Sequence, residues 1–84
     1  MKIEYQEGGT ESRLVITSSI LGWKKHRYLV DTILLRVPHL QSAEDYQFIM
    51  KTVMSGGVAD VLFAKVIVGR LGYQVAVISG VNNE

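Results

Sequence analysis

The chain has 84 residues, 48% of them hydrophobic, and its nine basic and eight acidic residues give a net charge of +1. This length predicts a single domain, and the low charge argues against a dedicated nucleic-acid-binding domain. The absence of cysteine excludes disulfide scaffolds, thiolate metal sites and cysteine nucleophiles. The N-terminal segment MKIEYQEGG is too polar for a secretory signal, so a cytoplasmic location is expected.

The first predicted element is a β-hairpin, in which the segments KIEYQ and SRLVIT flank two glycines at positions 8 and 9. These glycines can supply the positive φ angles of a two-residue turn. Pairing outward from that turn sets Glu4 opposite Arg13, as a cross-strand ion pair. The residues that share one face of the sheet are then Ile3, Tyr5 and Leu14.

Residues 18–37 fit two structures. A helix would gather on one side Trp23, Val30, Ile33, Leu34 and Val37. A strand would alternate to one face Leu29, Ile33, Leu35 and Val37. The β-branched residues favour a strand over residues 27–37, preceded by a turn at residues 22–25, and Pro38 ends either element. The strand is preferred, and the helix stays open as the alternative.

The next segment, residues 42–55, has the pattern of a helix. Ser42 can serve as its N-cap, and two acidic residues, Glu44 and Asp45, complement the positive end of a helix. Two glycines at positions 56 and 57 supply a stop. Apolar residues recur at helical spacing within this segment, namely Tyr46, Ile49, Met50 and Val53.

The C-terminal third is rich in valine and isoleucine and predicts two strands, over residues 59–68 and 73–80, joined at residues 69–72. A helix over residues 58–71 that leads into the last strand is the alternative. The preferred reading makes the whole chain a single small α+β domain, with an antiparallel sheet, one main helix and the order β-β-β-α-β-β.

The sequence contains few of the residue patterns that are typical of catalytic or metal-binding sites. The two histidines, His26 and His39, lack metal-ligand spacing, and both are interpreted as exposed loop residues. Asp31 and Asp60 interrupt apolar runs, where a carboxylate could act as a catalytic acid or base. Pairing with a nearby basic residue is the preferred explanation. Residues 69–72 match the G-x-x-G loop that clamps nucleic-acid backbones in KH domains, but a turn between two elements is preferred. No catalytic residue, metal or cofactor is predicted.

The densest charge in the chain lies in GWKKHRYLVD, residues 22–31. A basic cluster between aromatic residues can bind single-stranded nucleic acid, because lysine and arginine neutralise phosphates while aromatic rings stack on bases. The preferred interpretation is a solvent-exposed turn. The candidate nucleic-acid or partner contacts are Trp23, Lys24, Lys25, Arg27, Tyr28 and, if folding brings it near, Arg70.

The apolar content is high for so short a chain, and self-association is one way to cover it. Residues 58–81 carry only three charges, and these would point to different sides of a helix, which argues against a membrane span. We therefore expect a non-catalytic protein-binding or regulatory module that acts as a small homo-oligomer, of the kind found among accessory or inhibitory proteins. The alternative is a small nucleic-acid-binding regulator that uses residues 23–28.

Overall fold

The computed structural model describes residues 1–78, which form a five-stranded sheet with two helices packed on one face. The elements in chain order are β1 Lys2–Gln6, β2 Glu11–Ser19, α1 Trp23–Arg36, β3 Gln41–Tyr46, β4 Ile49–Gly57, α2 Val58–Arg70 and β5 Ala76–Ile78. The predicted α+β class and single small domain are confirmed. The predicted order is not, because the chain folds as β-β-α-β-β-α-β.

The strands lie in the order β3-β4-β2-β1-β5 and form a mixed sheet. Neighbours are antiparallel except for β1 and β5, which are parallel. Two crossover units follow from this order, β2-α1-β3 and β4-α2-β5. The strand directions place the end of β2, the start of α1 and the β3–β4 turn at one end of the sheet.

The N-terminal hairpin forms, but its register differs from the predicted one by two residues. Tyr5 lies opposite Leu14, and Glu4 lies opposite Val15 instead of Arg13. The connection is longer than two residues: the Glu11 backbone N–H donates to the Gly8 carbonyl at 2.8 Å. A two-residue shift keeps each side chain on its original face, so the predicted buried face is confirmed. The prediction of a Glu4–Arg13 ion pair is wrong, since the carboxylate of Glu4 pairs with the Lys2 ammonium at 3.5 Å.

Helix α1 replaces the strand preferred for residues 27–37 and the turn preferred for residues 22–25. Its buried side chains are His26, Leu29, Val30 and Ile33, and the buried Val37 follows directly after the helix. These positions recur three and four residues apart, which is one face of a helix. Burial of this whole stripe against the sheet outweighs the strand preference of the β-branched residues.

The helix predicted for residues 42–55 is wrong, because this segment forms β3, the β3–β4 turn and most of β4. Met50, Thr52 and Met54 are buried in alternation along β4, as the period of a strand requires. Ser42 is an exposed residue of the edge strand β3 and caps no helix. Alternating burial along β4 therefore outweighs the two local helix signals, the cap-like Ser42 and the glycine stop.

Helix α2 confirms the alternative for residues 58–71 and contradicts the preferred pair of strands. The side chains it buries are Val61, Ala64, Ile67 and Val68. Strand β5 follows but covers only Ala76–Ile78. The last two residues of the strand predicted over residues 73–80 lie outside the described residues.

Residues 69–72 end α2 and turn the chain towards β5, as preferred over a nucleic-acid clamp. Gly72 has a φ of 96°, a left-handed conformation that favours glycine. Its N–H donates to the Gly69 carbonyl at 3.0 Å, and the Tyr73 N–H donates to the Val68 carbonyl at 3.3 Å. This pair of bonds is a Schellman motif, and Tyr73 packs against the core just beyond it.

The hydrophobic core lies between the helices and the covered face of the sheet. It contains Ile3, Tyr5, Leu14, Ile16, Leu29, Val30, Ile33, Val37, Leu40, Met54, Val61, Ala64, Ile67 and Val68. Three strands, β1, β2 and β4, and both helices contribute residues to this one cluster. Neither described helix has the length and apolar composition that crossing a lipid bilayer requires.

Candidate functional site

His26 lies in the core interface between α1 and the sheet and is fully buried, with none of its surface exposed. Its Nδ1 lies 2.9 Å from the Ser18 Oγ on β2, and its Nε2 lies 2.8 Å from the Thr52 Oγ1 on β4. A neutral imidazole has one donor and one acceptor nitrogen, and a hydroxyl can meet either. The expectation of an exposed loop histidine is therefore wrong, because the ring belongs to the buried stripe of α1.

The histidine network continues towards the surface through Tyr46. The Tyr46 hydroxyl lies 3.3 Å from the Thr52 Oγ1, and its ring packs edge-on against His26 with centroids 5.7 Å apart. One guanidinium nitrogen of Arg27 donates to the Tyr46 hydroxyl at 3.1 Å and to the Glu44 carboxylate at 2.9 Å. Helix α1 is thus bonded to β2, β4 and β3 by one connected set of polar side chains.

The electrostatic setting keeps the imidazole neutral. Burial lowers the pKa of His26, and the nearby positive charge of Arg27 lowers it further, whereas the carboxylate of Glu44 opposes both by raising it. The hydrogen bond with Tyr46, together with the carboxylates of Asp31 and Glu44, raises the pKa of Arg27. The lowered pKa of His26 favours the neutral imidazole near pH 7.

The Ser18–His26 pair has the spacing of a nucleophile and its base, but the surroundings favour a structural role. The second ring nitrogen meets the hydroxyl of Thr52, where a carboxylate would orient a catalytic histidine. Ser18, His26 and Thr52 are all buried, so a substrate has no approach to the serine oxygen. A fully satisfied network of this kind fixes the packing of α1 on the sheet.

The predicted contact residues divide into two groups in the structure. Trp23, Lys24 and Lys25 lie together in the exposed first turn of α1, where the Lys24 ammonium is 5.7 Å from the Trp23 ring centroid. Arg27 is held by Asp31 and Glu44 at 3.1 and 2.9 Å, so its charge is already paired.

Of the remaining two predicted contacts, Tyr28 lies one helical turn after Lys24 on α1, and Arg70 lies on the other helix. Tyr28 is exposed further along α1, and its carbonyl accepts a bond from Thr32 at 2.7 Å. Arg70 lies in the last turn of α2. Among residues 1–78, no hydrogen bond, ion pair or aromatic contact joins Arg70 to Trp23.

Large apolar side chains gather where β2 ends and β4 begins. Ser19 pairs with Ile49 in the sheet, which places the short 3-10 turn Ile20–Gly22 beside the β3–β4 turn. Leu21 is 92% exposed and Phe48 is 90% exposed, each at the tip of its turn. The side chains beside them are about half exposed, and the whole surface, called the apolar end, consists of Ile20, Leu21, Trp23, Phe48 and Ile49.

A second apolar surface covers the outward side of α2. Its residues are Ala59, Leu62, Phe63 and Val66, here called the α2 outer face. They lie opposite the side that packs into the core, so α2 carries apolar side chains on two opposite sides, with the three charged residues Asp60, Lys65 and Arg70 spaced around it.

The uncovered face of the sheet carries mixed charge. One row across the strands brings together Lys2, Thr17, Lys51 and Asp45. Val15 and Val53 occupy the row beside it. Both signs of charge occur on this face, so it favours no single class of ligand. Within residues 1–78, no three histidine, aspartate or glutamate side chains are grouped as a metal site would need.

Taken together, these features define a small α+β domain with a buried histidine network and two exposed apolar surfaces. Comparisons with protein-family models, with curated proteins and with solved structures found no match for the chain. The function proposed below therefore depends on the geometry of the molecule.

Proposed function

We propose that this protein is a non-catalytic protein-binding module that associates with a second copy of itself through the α2 outer face. The observation that carries this proposal is the exposure of Leu62, Phe63 and Val66 on a helix whose other side is already buried. Contiguous apolar surface of this kind is uncommon on monomers and typically marks a site of association.

The α2 outer face is suited to a symmetric contact. In a two-fold arrangement both copies use the same patch, so each apolar residue of the patch is buried in both copies at once. Asp60 lies in the first turn of α2 and Arg70 in the last turn. An antiparallel second copy brings the acidic end of one helix level with the basic end of the other, so opposite charges flank the apolar contact.

Sedimentation analysis of the double variant Phe63→Glu, Val66→Glu tests this proposal. The wild-type chain should form at least a dimer at micromolar concentration, and the variant should sediment as a monomer of 9.4 kDa. Buried carboxylates at the contact oppose association, because each loses its hydration without gaining a partner. The single variant Phe48→Ser, which alters an exposed aromatic residue away from α2, is the control and should still associate. A wild-type protein that stays monomeric at high concentration contradicts the proposal.

Nucleic-acid binding is the second candidate, and the grouping of Trp23, Lys24 and Lys25 is the observation that favours it. Against it, the ion pairs of Arg27 remove one of the three predicted phosphate contacts. If this function holds, single-stranded oligonucleotide should quench Trp23 fluorescence, with an affinity that falls steeply as salt increases. Replacing Lys24 and Lys25 with alanine should abolish that binding. We expect instead no salt-sensitive binding by the wild-type chain.

A further inference from the structure

We propose that the apolar end is a docking surface for an anionic lipid membrane, with Leu21 and Phe48 inserted among the acyl chains and Lys24 and Lys25 against the headgroups. This inference is separate from the association through α2, because it uses a different surface. It concerns peripheral binding by side chains at the tips of two turns.

The shape of the apolar end fits a fluid surface. Leu21 and Phe48 are the two most exposed large apolar side chains among residues 1–78, and each stands at the tip of its own turn. The Ser19–Ile49 pairing holds the two turns side by side. Projecting tips with half-exposed neighbours can enter the boundary between headgroups and acyl chains, which needs no matching groove on the partner.

The charges beside the tips complement an anionic surface. Lys24 and Lys25 lie in the first turn of α1, next to Leu21, and neither takes part in an ion pair with any residue of the described range. Asp45, near Phe48, lies opposite Lys51 in the β3–β4 register, so a basic residue stands beside it. Basic side chains beside inserted apolar residues add electrostatic attraction to anionic lipid.

Trp23 lies between the tips and the lysines. Its indole is half exposed, and the Lys24 ammonium lies over the ring at 5.7 Å. Indole rings favour the interfacial region, where one part of the ring is apolar and the N–H stays hydrated. Trp23 is the sole tryptophan of the chain, so its emission reports directly on this end.

The buried histidine network fixes the positions of the elements that carry the apolar end. His26 ties the first turns of α1 to Ser18, near the end of β2, and to Thr52, near the start of β4. These two strand ends lead directly to the turns that carry Leu21 and Phe48. The tips are therefore held in place before any contact, and docking requires little ordering of the chain.

Vesicle co-sedimentation tests the proposal with phosphatidylcholine vesicles that contain or lack phosphatidylserine. The wild-type chain should bind the vesicles with phosphatidylserine, and its Trp23 emission should shift to shorter wavelength. The double variant Leu21→Ser, Phe48→Ser should weaken binding by about tenfold or more, because two large apolar side chains are no longer transferred from water into the bilayer. The variant Lys24→Glu, Lys25→Glu should lose the preference for phosphatidylserine.

The matched control is Leu35→Ser, which alters a leucine that is 85% exposed at the opposite end of α1. This control should bind as the wild type does. Wild-type protein that fails to bind phosphatidylserine vesicles overturns the proposal, as does binding that the Leu21→Ser, Phe48→Ser variant retains. Oligonucleotide binding without vesicle binding would assign the lysines to nucleic acid and also overturn it. Vesicle binding by the Phe63→Glu, Val66→Glu variant separates this proposal from the one for α2.

Discussion

Replacing Thr52 with valine removes one hydroxyl from the centre of the buried network and leaves the side-chain shape almost unchanged. The Thr52 Oγ1 lies 2.8 Å from the His26 Nε2 and 3.3 Å from the Tyr46 hydroxyl. In the variant, the Nε2 stays buried without a partner. Leaving a buried polar group unsatisfied costs about 1–3 kcal/mol. Domains of this size have about 4–13 kcal/mol of total stability, so the loss is large.

Urea unfolding followed by far-UV circular dichroism measures this effect. Thr17→Val is the matched control, because Thr17 lies on the uncovered face of the neighbouring strand and its hydroxyl can reach water. The control should change the free energy of unfolding by no more than about 0.5 kcal/mol. Equal stability of the Thr52→Val variant and the wild type would refute the reasoning.

The same network offers a second check. The triple variant Ser18→Ala, His26→Leu, Thr52→Val replaces all three members of the hydrogen-bonded set by apolar residues. Because no member is left with an unsatisfied partner, it should cost less than the sum of the three single variants. A simple sum would show that the three side chains act independently, contrary to the connected network described here.

Three further outcomes follow from the structure. Since burial lowers the pKa of His26, the unfolded chain binds its proton more readily, so stability should be full above about pH 6.5 and fall as the pH drops below it. Urea titrations from pH 7.5 to 5 should show this slope in the wild type and in His39→Gln, and its loss in His26→Gln. Gly72→Ala should lower the free energy of unfolding by about 1–2 kcal/mol because of the positive φ, whereas Gly69→Ala, in the helix, should raise it slightly. Ser42→Ala should change it by less than about 0.5 kcal/mol in the same measurement, since Ser42 is exposed on an edge strand.

The hairpin was predictable because its signals are local. Two glycines mark the turn, and alternation places Ile3, Tyr5 and Leu14 on the buried face even when the register shifts. The two-residue error arose from assuming the shortest turn, whereas the glycines form part of a longer connection. The class of the fold, a sheet with helical cover, was also within reach of composition and pattern.

The central segments failed because their local signals conflict with the long-range packing. In residues 18–37, a polar histidine stands within the buried stripe, and it hid the helical spacing that joins His26, Leu29 and Ile33. In residues 42–55, a helix-like spacing of apolar residues competes with the alternation of Met50 and Met54 in β4. Pairing of β4 with β2 decides the outcome, and no short window of sequence contains that information.

The candidate site was predictable only in part. Exposed lysines and Trp23 follow from the composition of GWKKHRYLVD, and the structure brings these three neighbours together on one helical turn. The network of Ser18, His26 and Thr52 was missed, because its members come from three separate segments. One signal could have shown it: on a helix, His26 falls on the same side as Leu29, Val30 and Ile33, which places a histidine in the core and demands polar partners.

The pairing of β1 with β5 has a consequence for how the chain is made. Glu4 lies beside Ala76 in the sheet, so strands from the two ends of the described chain must meet. During synthesis, β1 can pair with β2 early, but its other edge stays open until residues 76–78 have left the ribosome. Closing so long a loop is slow compared with forming a local hairpin. Among the strand edges that become paired, the outer edge of β1 therefore stays open to wrong partners longest.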